Sequence, residues 1–132
     1  MIPATMTLSA LLGVFIGAGL GACLRYALGL ALNPVFPAVP LGTLSSNLLG
    51  AYLAGIIATA LLLRADLPDA YRLFAITGFM GGLTTFSSFS LEIMALFQQG
   101  RLALALGATA AHLLGSLLLV WLGACTARSL FS

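Results

Sequence analysis

Residues 78–92, GFMGGLTTFSSFSLE, gather most of the side chains in this chain that could handle an ion. The nineteen residues between Arg72 and Glu92 carry no charge. Six of them are hydroxyl residues (Thr77, Thr84, Thr85, Ser87, Ser88, Ser90) and three are glycines (Gly78, Gly81, Gly82). Hydrocarbon cannot hydrogen-bond a freed backbone group, so such a stretch belongs inside protein or against water. Polar groups at membrane depth usually mark an ion or substrate path. The Gly81–Gly82 pair, followed by two β-branched threonines, predicts a break in the helix. Carbonyls turned inward between Gly81 and Thr84 would coordinate a hard cation. Two such breaks meeting on a dimer axis would double the ligands. The alternative is a simple kink whose carbonyls are satisfied by hydroxyls.

Phe86 and Phe89 follow the predicted break as i, i+3 neighbours. Aromatic rings have a positive edge. Edges lining a dry passage would favour a small anion, with Thr84, Thr85, Ser87, Ser88 and Ser90 as hydroxyl donors around them. Lipid contact or core packing is the ordinary fate of such a pair. Asn47, in GTLSSNLLG, shares a helical face with Thr43 and Gly50. Its amide could hydrogen-bond an anion stripped of water. As interhelical glue it would contribute roughly 0.6 kcal/mol. Arg25 lies seven residues before the end of the first apolar segment. It is either a snorkelling anchor or a fixed positive charge that draws an anion into a vestibule. Glu92 is the only carboxylate within an apolar segment; it is either solvated near an interface or requires a partner. His112 and Ser116, at i and i+4, would extend a polar track, although a lone intramembrane His more often bonds a neighbouring helix.

These residues need elements to hold them. The chain has 132 residues, 61% hydrophobic and 6% charged, against roughly 25% charged in a soluble domain. Its mean hydropathy is +1.16. So much apolar surface cannot be hidden in a soluble protein of this size, and the chain reads as an all-α integral membrane protein. Four apolar segments reach the ~20 residues a span requires. They run over about 7–32, 42–63, 71–97 and 102–126, and make one four-helix transmembrane domain of 1–132. Asn33, Pro34, Pro37 and Pro40 break the first connection. Residues 64–72, RADLPDAYR, form the charged loop, and Gln98 to Arg101 a tight turn. The first segment lacks a positive n-region and is too long for the apolar core of a cleavable signal. The net charge of +2 is too small to suggest nucleic acid. Cys23 and Cys125 read as small buried hydrophobes rather than a disulfide or metal site.

Four spans place both termini on one side. That side carries Arg64, Arg72 and Arg128; the other carries Arg101, and Arg25 if it reaches that interface. So weak a positive-inside bias permits insertion both ways up, although one fixed orientation is also compatible with it. A four-helix bundle fills its own centre, so the polar face of the third span requires a partner subunit. A two-fold homodimer is the default, and dual insertion would make it antiparallel. Gly13, Gly17 and Gly21 offer a small-residue packing face. No zinc spacing, nucleophile elbow or phosphate loop supports an enzyme.

Residues 78–92, together with GTLSSN (Gly42 to Asn47), GAGLGACLRY (Gly17 to Tyr26) and VWLG (Val120 to Gly123), resemble the Fluc (CrcB-type) fluoride channels of microbes over nearly the whole chain. The resemblance implies a passive fluoride channel in the cell inner membrane. It would be an antiparallel, dual-topology homodimer with two pores, exporting fluoride from the cytoplasm. It further implies that the ring edges of Phe86 and Phe89 contact fluoride, and that Asn47 is the pore asparagine. Thr84, Thr85, Ser87 and Ser90 would form the hydroxyl-rich stretch, and Ser116 a track hydroxyl. His112 departs from members that carry a hydroxyl residue there. Arg25 and Glu92 match a first-helix arginine and a third-helix glutamate. The carbonyls of Gly81 and Thr84 would hold a buried structural Na+ at the dimer centre. The ion's identity comes from the resemblance alone. The rival reading is a small dual-topology, proton-coupled multidrug exporter. It would need a titratable carboxylate near mid-helix, whereas the first segment carries Arg25 and no acid, and Glu92 comes late in the third.

Overall fold

Long apolar runs in hydrocarbon must satisfy every backbone group within the segment, and the α-helix does so. The computed structural model of the chain describes residues 7–131 and is all-helical. The ends of the expected 1–132 domain, and the part of the signal-peptide reading that rests on the first six residues, lie outside the described residues. Helix α1 is Leu8–Leu32 and α2 is Leu41–Leu63. The third span begins with a turn, Asp69–Arg72, continues as a π-helix, Leu73–Met80, and ends in a turn, Gly81–Leu83. These three pieces are called α3 below. Helix α4 is Phe86–Gln98 and α5 is Leu102–Phe131. Among the described residues four stretches are long and apolar enough to cross a membrane: Leu8–Val35, Leu41–Leu63, Asp69–Gln98 and Leu102–Phe131.

Local chemistry sets the ends. The Thr7 hydroxyl accepts from the Ala10 N–H at 3.2 Å and caps α1. Asn33 begins the 3-10 turn Asn33–Val35, and its side-chain oxygen accepts the Gly42 N–H at 2.8 Å. One residue thus closes α1 and opens α2. Gly100 takes φ 71, a conformation that costs glycine little. It lets Arg101 N–H reach Leu96 O at 2.9 Å and Gly100 N–H reach Phe97 O at 3.0 Å, the Schellman pattern that ends α4. Helix α5 runs five residues past the expected end at Thr126, because nothing in the sequence beyond it breaks a helix and Arg128 suits the negative C-terminal end. Its 30 residues measure about 45 Å at 1.5 Å per residue, against a hydrocarbon core of ~30 Å.

Two glycine seams fix the packing. A Cβ on Gly17 would meet Phe79 N at 2.9 Å and Gly78 Cα at 3.2 Å; one on Gly82 would meet Ala18 Cα at 2.9 Å. Helices α1 and α3 therefore touch backbone to backbone. The small-residue face of α1 serves this internal seam at Gly17 and Gly21, which are buried, but Gly13 has nothing within 4 Å. The second seam joins α2 to α5, where a Cβ on Gly55 would meet Ala124 N at 3.0 Å and one on Gly123 would meet Ile56 N at 3.0 Å. Tyr52 and Thr126 share a hydrogen bond across it at 3.1 Å. Tyr52→Phe should therefore lower stability only modestly, by about 0.6 kcal/mol, the mean for interhelical bonds in bilayers. A denaturant titration in detergent checks this. Buried Leu96, Ala105 and Ala108 pin α4 to α5. Cys23 is exposed and Cys125 half-buried, and both are free thiols, so Cys23 is not the buried small residue expected.

The third span departs most from a plain helix. Gly81 stays helical at φ −61, ψ −37, whereas Thr84 (φ −86, ψ 154) and Thr85 (φ −149, ψ 118) are extended. The glycines provide close approach to α1, and the β-branched threonines carry the change of backbone direction.

Candidate functional site

Asn47 organises the site. Its amide oxygen accepts the Thr85 N–H at 2.7 Å, and its amide nitrogen donates to Thr85 O at 3.0 Å. An extended residue inside a span leaves its N–H without a helical partner, and the Asn47 oxygen supplies one; the Thr85 carbonyl, at the N-cap of α4, takes the Asn47 amide nitrogen as a further donor. These two bonds also fix which end of the amide is which. The same nitrogen contacts His112 Nδ1 at 3.1 Å. That ring nitrogen must then accept, which leaves the ring proton of a neutral His112 on Nε2. Asn47 is thus committed to protein partners through its oxygen and nitrogen alike.

The neighbouring residues follow from the same face of α2. Gly50 lies against the Thr84 methyl group. The Thr84 hydroxyl donates to Met80 O at 2.8 Å, and the Thr84 N–H donates to the same carbonyl at 3.0 Å. The Thr85 hydroxyl accepts the Ser88 N–H at 3.1 Å and so caps α4. One turn before Asn47, the Thr43 hydroxyl donates to Glu92 Oε1, so the carboxylate expected to need a partner has one on α2. Arg25 also has a partner: its Nε–H donates to Gly82 O at 3.0 Å.

Two cavities flank the interruption. The first, about 420 Å³, is lined by Asn47, Thr84, Thr85, Phe86, Phe89, His112 and Ser116 among others. Phe86 and Phe89 lie 5.5 Å apart between ring centroids, tilted by 52°. Phe89 and the His112 ring are 4.5 Å apart. The second, about 370 Å³, is lined by Arg25, Thr43, Thr85, Ser88 and Glu92, with Tyr26 and Asn33. Thr85 borders both. Ser87 and Ser90 stand apart: Ser90 is exposed and donates its hydroxyl to Phe86 O at 2.8 Å. Ser87 is exposed, 3.4 Å from the Thr85 hydroxyl. The Gly81 carbonyl lies on the first side of the interruption, and Gly81 borders neither cavity. No group of three or more His, Cys, Asp or Glu side chains could hold a metal ion among the described residues.

Sequence reasoning missed Met80, whose carbonyl takes two hydrogen bonds and whose side chain lines the first cavity. It also missed Asn33, read only as a helix breaker, which lines the second. A methionine in an apolar run carries no signal of either role. An Asn directly before Pro reads as a turn, and its partner Gly42 lies nine residues on.

The family model described as CrcB-like protein, Camphor Resistance (CrcB), matches residues 12–124. A relative from Burkholderia pseudomallei strain 668, named fluoride-specific ion channel FluC, is 55% identical over 119 residues, which is 90% of this chain and 93% of the relative. Relatives of the same name from Burkholderia cenocepacia strain HI2424 and Burkholderia thailandensis strain E264 are 54% and 55% identical over the same shares. The chain is a multi-pass membrane protein, and the extent of these matches makes it a member of the CrcB-like family.

Proposed function

We propose that the protein is a passive, fluoride-selective channel, not an enzyme, which releases fluoride from the cytoplasm across the inner membrane as an antiparallel homodimer. The identity of the ion rests on the relatives, which are named fluoride-specific ion channels. The observation that carries the route is that Thr85 borders both cavities. A path from the Arg25 side would reach the Phe86–Phe89 pair by crossing one residue.

Each stage along that path has a physical role. The positive charge of Arg25 raises the local anion concentration at the second cavity. Helix α4 begins at Phe86, so its positive end faces the interruption and favours an anion there. Beyond Thr85 the ion meets Phe86 and Phe89, whose ring edges stabilise it weakly, and the His112 Nε2–H and Ser116 hydroxyl supply hydrogen-bond donors. Weak successive sites let an ion enter and leave again. Thr43 holds one oxygen of Glu92, which limits the repulsion this carboxylate exerts on the path. Phe86 is 79% exposed in a single chain, and the same face of a second copy would cover it.

The carbonyls of Gly81 and Thr84 suit a hard cation. In a continuous helix they would accept from the N–H groups of Thr85 and Ser88. Those two N–H groups donate instead to Asn47 Oδ1 and to the Thr85 hydroxyl. Gly81 and Thr84 would hold the implied structural Na+ through these oxygens, and its charge would offset the carbonyl dipoles gathered between two copies.

The proton-coupled exporter gains nothing from the relatives' names. A growth assay tests the channel reading in cells. Expression in a bacterium stripped of its own fluoride exporters should restore growth at fluoride concentrations that arrest the empty host. Continued arrest, with the protein present in the membrane, would overturn it.

A further inference from the structure

Arg25 contributes more than charge: the geometry points to it as a positioning residue that anchors the interruption of the third span through Gly82 O. This rests on the channel reading above and deepens it. In an unbroken helix Gly82 O would accept the Phe86 N–H, but α4 starts at Phe86 after two extended residues. The carbonyl is left without its helical donor, at a depth where an unsatisfied group is costly. Arg25 Nε–H supplies the bond at 3.0 Å, across 57 residues of sequence.

The reach depends on the glycine seam. Gly17, Gly21 and Arg25 lie at i, i+4 and i+8 on one face of α1. Gly21 brings the α1 backbone against Leu83 N and the Gly82 carbonyl carbon, which a Cβ there would meet at 2.7 and 3.1 Å. At that separation the nitrogen nearest the Arg25 stem is the one that meets the carbonyl. The remaining guanidinium N–H groups extend beyond it, where Arg25 lines the second cavity beside Glu92 and Ser88. One side chain therefore fixes the carbonyl end of the interruption and presents charge to the anion. Moving Gly82 would move Thr84 and Thr85, and with them the clamp made by Asn47.

Two substitutions separate these roles. Glutamine carries its amide nitrogen at the same number of bonds from Cα as the arginine Nε, so Arg25→Gln keeps the carbonyl donor and loses the charge. Arg25→Lys keeps the charge but places a methylene at that position. Amide hydrogen exchange of the purified, assembled protein in detergent is read over residues 83–88, beside fluoride flux as a function of fluoride concentration. Arg25→Lys is expected to speed exchange in this segment roughly tenfold or more, the scale of one lost hydrogen bond to a charged donor. It should also lower flux at saturating fluoride. Arg25→Gln is expected to keep native protection and to raise the half-saturating fluoride concentration. Native protection in Arg25→Lys would overturn the assignment. So would equal loss of protection in Arg25→Gln and Arg25→Leu, a comparison that decides the matter even if the lysine variant does not fold. Exchange is read without transport, so absence of fluoride flux in the native protein would refute the channel reading and leave the positioning result standing.

Discussion

Replacing Phe86 or Phe89 with Ile should abolish fluoride flux and leave a folded, assembled protein. Phe86 is 79% exposed and makes its ring contact with Phe89 at 5.5 Å, so little of the chain's own packing depends on it. Isoleucine retains most of the apolar bulk but has no ring edge and no quadrupole. A dehydrated anion would then meet an aliphatic side chain where a ring edge had faced it in the first cavity. Loss of two or three kcal/mol at the barrier already slows passage about 30- to 150-fold, since each 1.4 kcal/mol is a factor of ten. Phe89 carries the larger structural share, because it also packs on the His112 ring at 4.5 Å. Efflux from liposomes, with size-exclusion chromatography to verify assembly, checks both variants. Native flux in either would remove that ring from the mechanism.

Gly82→Ala should prevent accumulation of folded protein, whereas Gly13→Ala should be tolerated. The chemical change is the same and the surroundings differ. A methyl on Gly82 would sit 2.9 Å from the Ala18 carbonyl carbon and Cα, which are backbone atoms with no rotamer to escape into. A methyl on Gly13 meets nothing within 4 Å. Overpacking ordinarily costs about 1–3 kcal/mol, and the upper end applies where backbone must move. The displacement also pulls Gly82 O away from Arg25, removing a bond of 3.0 Å. Yield of monodisperse protein from detergent extracts measures the contrast. Normal yield of Gly82→Ala would mean that the α1–α3 seam is more pliable than the packing implies.

The membrane class was legible because it depends on composition and segment length, which need no tertiary information. The prolines at 34, 37 and 40 and the glycine at 100 likewise announced the turns through local backbone chemistry. The one-face grouping of Thr43, Asn47 and Gly50 followed from helical period, and all three meet the third span, at Glu92, Thr85 and Thr84. What the sequence hid depends on partners distant along the chain. Asn47 read equally as a donor to an anion or as interhelical glue, and only the fold shows its amide engaged by Thr85 and His112, 38 and 65 residues away. The hydroxyls of residues 84–90 all read as donors to a passage, yet Thr84 and Ser90 spend theirs on their own helices. The π-helix at Leu73–Met80 has no local marker, since its residues suit an α-helix equally well. The glycines at 81 and 82 read as the place of the break, and turned out to be required for contact with α1 or compatible with helix.

Selective conduction of fluoride by this protein is open to a single assay, efflux from liposomes. Purified protein is reconstituted, and release of fluoride and of chloride is followed with ion-selective electrodes in the same preparation. Rapid fluoride release with negligible chloride release is the expected result. Comparable release of both ions, or release of neither from protein shown to be folded and assembled, would contradict it.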